Sequence, residues 1–499
     1  MTDGSLRPRN HPGLELAEPA PGASGHLTGL CLDSRQVLPG DLYVALPGLT
    51  AHGADFVGGA LARGALAVYT DAAGAARVGQ VGVPVIVVAD PRVAMGELAA
   101  RIYGYPARRL TTFGVTGTNG KTSTVFLLEA ALAALGRRVA TIGTIGFRLG
   151  GQRVESARGT VTTPDAPDLQ AMLARLAEQG ADTAAMEVSS HALALHRVDG
   201  IMFDVVGFTM FGQDHLDYHA TLEDYFAAKA RLFTGDLARV AVINADDPWG
   251  RRLMEQVRAD GRLRLVTTGV ETDDADYRVT GWVTRPDGAA DVTVRTPEAV
   301  VEYRVSMLGD FNVRNSLTAL AMVGAAGLEV ARAASGVVDA QVPGRMQRLD
   351  LGPGLPHVVV DFAHTPQAVE AALHALPPGR RLVVLGAGGD RDPHKRALMG
   401  AAAARNADVV VVTDDNPRSE VPQDIRTAVL AGARSAAGAG VRVIDGGGRG
   451  DAIHLALESA GPGDWVAILG KGHETGQTIG TEVIPFDDVE VVRVWARRN

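Results

Sequence analysis

The chain has 499 residues, 46% of them hydrophobic, with 60 glycines, a formal net charge of −9 and a single cysteine, Cys31. That length divides into roughly two to four domains, and many glycines with few aromatics suit α/β domains rich in strand-to-helix turns. The acidic balance argues against nucleic acid as the main partner, the lone cysteine against a disulfide framework, and the lack of a long apolar run against membrane insertion, so a cytoplasmic protein acting on small molecules is expected.

Taken in order, residues 1–108 read as a small α/β domain after a polar, Pro-rich start over Met1–Pro21. A Pro-Gly turn precedes a short strand over Leu42–Leu46, "ALAVYTD" and "VPVIVVAD" read as buried strands, and "VAMGELAARIYG" reads as a helix ending at Gly104. Ser34 and Arg35 alone read as a solvated loop.

A central domain is expected over 109–343. It opens on a buried strand, Leu110–Val115, then "TGTNGKT", then a helix over Ser123–Leu135 with Leu127, Leu128, Ala131, Leu132 and Leu135 on one face. Strand, glycine loop, Lys-Thr and helix form a phosphate cradle: glycines let backbone N–H groups approach phosphate oxygens, and the helix start adds partial positive charge. Lys121 would reach the outer phosphates and Thr122 would sit on Mg²⁺, although the strict pattern calls for glycine where Val115 stands. "RVATIG", "TAAMEVS", "FDVVGFT" and "VAVINAD" read as strands of a mostly parallel sheet, and alternation about Pro286-Asp287-Gly288 reads as an antiparallel subsheet.

A Rossmann-like doubly wound domain is expected over 344–499, with strands in "HVVVDFA", "RRLVVLGAG", "ADVVVVTDD", "GVRVID" and "DWVAILGKG". Gly386-Ala-Gly-Gly389 lacks the full dinucleotide fingerprint.

Polar residues then gather at strand ends. Glu187 reads as a Mg²⁺ carboxylate or a surface carboxylate, and Asp214-His215-Leu-Asp217-Tyr-His219 equally as a metal site or a surface turn. Lys229 reads as a snorkelling lysine or as a modified one. In the last domain Asp390-Arg391-Asp392, Asp415-Asn416-Pro417-Arg418 and Lys471-Gly472-His473-Glu474 all follow strands of one sheet. Their arginines suit carboxylates and Glu474 suits an ammonium, so the three loops together suit a zwitterion.

In order along the chain, "LDSRQVLPGDLYVAL", "GVTGTNGKTST", "TTPDA", "MEVSSHALALHRV", "DHLDYHATLEDYFAAKARLF", "GDFNVRNSLTA", "DFAHTP", "GAGGDRDPHKR", "DNPR" and "GKGHE" resemble the Mur ligases, most of all those that form the muramoyl tripeptide. The resemblance covers nearly the whole chain. It implies an ATP-dependent ligase in which Thr116, Gly117, Thr118, Asn119, Gly120, Lys121 and Thr122 bind ATP phosphates, with Asn312, Asn315, Arg345, Asp361 and His364 holding the nucleotide or closing the site. Two Mg²⁺ ions are implied, on Thr122 and on Glu187, His215 and a carbamylated Lys229, with Lys121 among the catalytic residues. Ser34, Thr162, Thr163, Ser189 and Arg197 match positions for UDP-N-acetylmuramoyl-L-Ala-D-Glu, and Arg391, Asn416, Pro417, Arg418, Gly470 and Glu474 match those for the incoming amino acid. Two positions depart from the family pattern: Met210 replaces an Asn and Leu195 a Gln.

The implied reaction needs no nucleophilic Ser or Cys. A substrate carboxylate attacks the γ-phosphate, and the amine then displaces phosphate from the acyl phosphate. "DNPR" points to meso-2,6-diaminopimelate, with L-ornithine and L-lysine as alternatives. The rival readings are a P-loop nucleotide switch and a folyl-polyglutamate synthetase. A monomer without nucleic-acid partners is expected.

Overall fold

The computed structural model describes residues 7–16, 25–48, 50–154, 161–212 and 218–498. His215, with Asp214 and Asp217, lies outside the described residues, as does part of the Pro-rich start. By contacts the chain forms two compact units: Met1–Thr280 with Val294–Val301 and Arg314–Gly336, and Gly281–Thr293 with Glu302–Val313 and Val337–Asn499. Among the described residues no helix is long and apolar enough to cross a membrane.

The first unit begins with a four-stranded parallel sheet of β1 (Gly29–Cys31), β2 (Asp41–Ala45), β3 (Ala67–Thr70) and β4 (Val85–Val87), in that order. Helix α1 (Pro91–Ile102) starts two residues before the expected Val93, because Asp90 accepts from the N–H groups of Arg92 and Val93 and proline suits a first helical position.

The central sheet is built on β5 (Thr111–Thr116), followed by helix α2 (Lys121–Ala134). The helix begins at Lys121 rather than Ser123, since Gly120 turns the chain in a left-handed conformation, φ 86°. It is buried almost all round: Val125 and Phe126 are buried as well as Leu127, Leu128, Ala131 and Leu132. Next come β6 (Val139–Gly143), β7 (Gly146–Leu149), β8 (Gln152–Val154), β9 (Thr183–Glu187), β10 (Phe203–Phe208), β11 (Ala238–Asn244) and β12 (Arg264–Gly269). They order as β8-β7-β6-β9-β5-β10-β11-β12. From β6 to β12 neighbours run parallel, whereas β6, β7 and β8 form an antiparallel edge. β6 is the strand expected in "RVATIG", whereas β7, β8 and β12 were not among the strands expected from sequence. β5 lies between β9 and β10 with Glu187 opposite Val115, so the carboxylate arrives beside the glycine loop.

Beyond β12 the chain enters β13 (Tyr277–Thr284), β14 (Ala290–Arg295) and β15 (Val300–Val305). The turn between β13 and β14 closes through Arg285 N–H to Ala289 O, with Gly288 at φ 82°. Helix α3 (Asp310–Ala325) follows, as the "GDFNVRNSLTALAMVGAAG" run requires.

In the second unit the five expected strands are β17 (His357–Asp361), β18 (Arg381–Leu385), β19 (Val409–Thr413), β20 (Arg442–Gly447) and β21 (Trp465–Leu469). A sixth, β16 (Gln347–Leu349), adds an antiparallel edge, giving the order β16-β17-β21-β18-β19-β20. Asp361, Leu385 and Leu469 stand in register, so the loops after β17, β18 and β21 leave from one edge. That carboxyl edge is where open α/β sheets bind ligands.

Candidate active site

The loop after β5 folds as a cradle because its glycines have no side chain. Gly117 sits at φ 149°, and a Cβ there would collide with Thr209 Oγ1. Thr209 donates to Asn119 O at 2.6 Å, and Thr118 N–H donates to Met210 O at 2.8 Å. Position 210, where the family amide is replaced, thus serves the loop through its backbone, and Asn244 Nδ2 donates to Thr209 O at 2.9 Å behind it. Gly120 packs against the Asn315 amide at the head of α2.

Two ammonium groups close over the loop. Lys121 Nζ donates to Gly117 O and Thr118 O, each at 2.9 Å. Lys229, on the helix Leu222–Ala230, is 1% exposed and donates to Gly117 O at 2.8 Å. It therefore does not snorkel. Its ammonium stands 4.5 Å over the Tyr225 ring, and the Tyr225 hydroxyl donates to Thr118 Oγ1.

Glu187 is buried at the end of β9, not on the surface. Its Oε2 accepts from Thr122 Oγ1 at 3.0 Å and Thr144 Oγ1 at 3.1 Å, and its Oε1 from Thr144 N–H at 2.8 Å. Gly143 leaves room for it, since a Cβ there would collide with Oε1. A hydroxyl and a carboxylate side by side at the head of α2 are hard oxygen donors that fit Mg²⁺. Among the described residues there is no cluster of three or more His, Cys, Asp or Glu that could hold a metal.

Beyond Glu187, Thr163 Oγ1 donates to Glu187 O at 2.9 Å and accepts from Ser189 N–H. Arg197 donates to Thr163 O at 3.0 Å and pairs with Asp165, while Thr162 and Thr144 share a hydrogen bond. Thr162, Thr163, Ser189 and Arg197 therefore form one connected group. Ser34 stands apart in the turn between β1 and β2, its Oγ about as near Gly59 as van der Waals contact with a side chain there would allow. Leu195, at the second departure, ends the short helix Ser190–Ala194, and its N–H donates to His191 O.

In the second unit, Asp361 accepts from Met346 N–H at 2.6 Å and Ala363 N–H at 2.8 Å. Desolvation pushes its carboxyl above the usual range against the pull of Arg345. Arg345 lies 4.5 Å over the Phe362 ring, and His364 Nδ1 is 2.8 Å from Phe362 O. Asn312 Nδ2 donates at 2.8 Å to Leu308 O, just before α3.

The three zwitterion loops do meet. Asn416 Nδ2 donates to Glu474 Oε2 at 2.8 Å, and Lys471 Nζ donates to Glu474 Oε2 at 3.1 Å and to Asn416 Oδ1 at 3.3 Å. Gly389 N–H donates to Asn416 O, Ser419 Oγ donates to Asp390, and Arg418 donates to Gly389 O. Asp390 and Arg418 hold positive φ of 52° and 53° without being glycine, a strained conformation that such cross-loop bonds maintain. Gly389 permits the approach, since a Cβ would collide with Pro417 O. Gly470 is pressed against Asp415 in the same way. Arg391 is exposed and Arg418 half-buried. Sequence reasoning passed over Thr144, Thr209 and Gln477, whose Nε2 donates to Asp415 O at 2.6 Å. Common hydroxyls and amides carry no spacing signal, and only the fold brings them to the site.

Three family models cover most of the chain: the Mur ligase family catalytic domain over residues 26–103, the Mur ligase middle domain over 115–323, and the Mur ligase glutamate ligase domain over 344–472. A protein of Streptomyces avermitilis named UDP-N-acetylmuramoyl-L-alanyl-D-glutamate--2,6-diaminopimelate ligase is 46% identical, covering 98% of each chain. One of the same name from Corynebacterium glutamicum is 43% identical over 95% of this chain and 94% of its own. A solved structure of a ligase of that name superposes with a TM-score of 0.69 at 32% identity, covering 96% of each chain. Fold, phosphate loop and relatives together define a ligase. The chain belongs to the Mur ligase family.

Proposed function

We propose that the chain joins 2,6-diaminopimelate to the D-glutamyl carboxylate of UDP-N-acetylmuramoyl-L-alanyl-D-glutamate, with ATP converted to ADP and phosphate, in peptidoglycan precursor synthesis. The observation that carries the reading is the contact of Asn416, Lys471 and Glu474 beside Arg418, a set with cations for carboxylates and a carboxylate for an ammonium. The full-length likeness to ligases of that name supports it. The three matched segments support domain boundaries near 108 and 343.

The loop of Thr116 to Thr122 cradles the ATP phosphates, and Lys121 offsets their charge as the D-glutamyl carboxylate oxygen attacks the γ-phosphorus and ADP departs. The amine of the amino acid then attacks the acyl carbon. Phosphate leaves with the bonding electrons, and the ammonium proton passes to solvent. Ser34, Thr162, Thr163, Ser189 and Arg197 hold the UDP-muramoyl dipeptide. Asn312, Asn315, Arg345, Asp361 and His364 serve the nucleotide side. Thr122 and Glu187, together with His215 and a carbamylated Lys229, would hold Mg²⁺. Bound there, the cations would neutralise phosphate charge so that two anions can meet.

The test is phosphate release with ATP, Mg²⁺ and the UDP-muramoyl dipeptide, comparing meso-diaminopimelate, L-lysine and L-ornithine. Preference for diaminopimelate is expected. Preference for lysine or ornithine would keep the ligase and overturn the reading of the Arg418 loop.

A further inference from the structure

Behind the amino-acid loops lies an ion pair that the proposed reaction does not use. Arg449 and Asp488 are both fully enclosed, joined by Nε to Oδ1 and Nη2 to Oδ2 bonds of 2.7 Å each. Arg449 opens the helix Arg449–Glu458, and Asp488 opens the helix Asp488–Ala496. Asp488 suits the positive end of its helix, but a guanidinium in the first turn opposes the helix dipole. Burying the pair also costs desolvation that apolar residues of similar volume would avoid. Neither helix propensity nor core packing accounts for Arg449.

Its remaining contacts point at the site. Nη2 also donates to Leu469 O at 3.1 Å, the residue before Gly470. The enclosed Nη1 has no hydrogen-bond acceptor among the described residues. Gly470, at φ 114°, stands between Nη1 and Asp415: a Cβ there would collide with Asp415 Oδ2 and lie 3.9 Å from Nη1. Asp415 Oδ1 in turn accepts from Asn416 Nδ2, the same nitrogen that reaches Glu474. Burial pushes the Asp415 carboxyl above its usual range, and the attraction of Arg449 and Lys471 opposes that shift.

We propose that Arg449, held by Asp488, is a positioning residue for the amino-acid subsite: it fixes the backbone at Leu469-Gly470 and the Asp415 carboxylate, and through Asp415 the Asn416 amide that meets Glu474. The proposal rests on the reading of these loops as the amino-acid subsite. It assigns to the pair specificity rather than stability.

The experiment uses the full chain carrying Arg449→Met with Asp488→Leu, an apolar exchange expected to keep or raise the melting temperature. The KM for diaminopimelate should rise about tenfold or more, as for loss of a charge-assisted contact, while the KM for ATP stays within about twofold. Arg449→Lys, which keeps the charge but loses the fork, should raise the same KM less. Unchanged diaminopimelate KM in both folded variants would overturn the proposal, and so would an equal rise in the KM of every substrate. Should the double exchange not fold, Arg449→Lys decides by the same ratio. The wild-type arm separates the two readings: if it uses lysine or ornithine instead, the same KM comparison is made with that amino acid.

Discussion

The ammonium groups of Lys121 and Lys229 converge on one acceptor, the carbonyl oxygen of Gly117, at 2.9 and 2.8 Å. Two like charges on one oxygen repel, and phosphate binding would draw Lys121 outward. A carbamate on Lys229 would turn the second cation into an anion and remove the repulsion. Lys229→Met is therefore expected to lower kcat by about 10²-fold or more. Protein equilibrated with ¹³C-bicarbonate should give a carbamate carbon signal that the variant lacks. A fully active Lys229→Met enzyme would rule out the role.

Glu187 is seated by Gly143. A methyl group at Gly143 would collide with Glu187 Oε1 and displace the carboxylate from Thr122. Gly143→Ala should lower kcat by about 10²-fold, as misplacements of about 1 Å do, and raise the Mg²⁺ concentration needed for half-maximal rate. Titration of activity with Mg²⁺ checks this.

Arg391 is exposed and Arg418 is tied to Gly389 O. Arg391→Ala should leave stability within about 0.5 kcal/mol. It should nevertheless raise the diaminopimelate KM roughly 10-fold to 100-fold through loss of a charge-assisted contact. Arg418→Ala should do the same and also lower the melting temperature, because it frees the strained loop. Equal KM values for wild type and Arg391→Ala would remove that arginine from the subsite.

Asp415 gives a pH dependence with a definite sign. Burial raises its folded-state pKa above the unfolded value of about 3.9. The folded protein therefore binds more protons, so the stability contributed by the protonated form is complete below the unfolded value and is lost as pH rises through the folded one. The charged form orients Asn416, so the amino-acid KM should climb as pH falls through the raised pKa. Asp415→Asn should abolish that acid limb while leaving the ATP KM flat. KM–pH profiles of both proteins test it.

Local sequence determined the elements. Runs such as "HVVVD" and "VVVVT", punctuated by Gly, Asp and Pro, specify buried parallel strands, and Gly120 followed by Lys-Thr fixes where the phosphate loop turns into its helix. The zwitterion loops were legible because each follows a strand of one sheet, and strands in parallel register deliver their ends to one edge. The short antiparallel strands at the sheet edges were not, since three or four residues carry too little periodicity to declare a strand. Nor could the sequence rank its polar residues. Glu187 and Lys229 looked equally fit for solvent, and long-range pairing alone buried them. Arg449 and Asp488, 39 positions apart, had no common signal until two helix starts met. Burial and partner choice come from contacts between distant segments, and a charge acquires its role only when the fold decides what water it loses and what faces it instead.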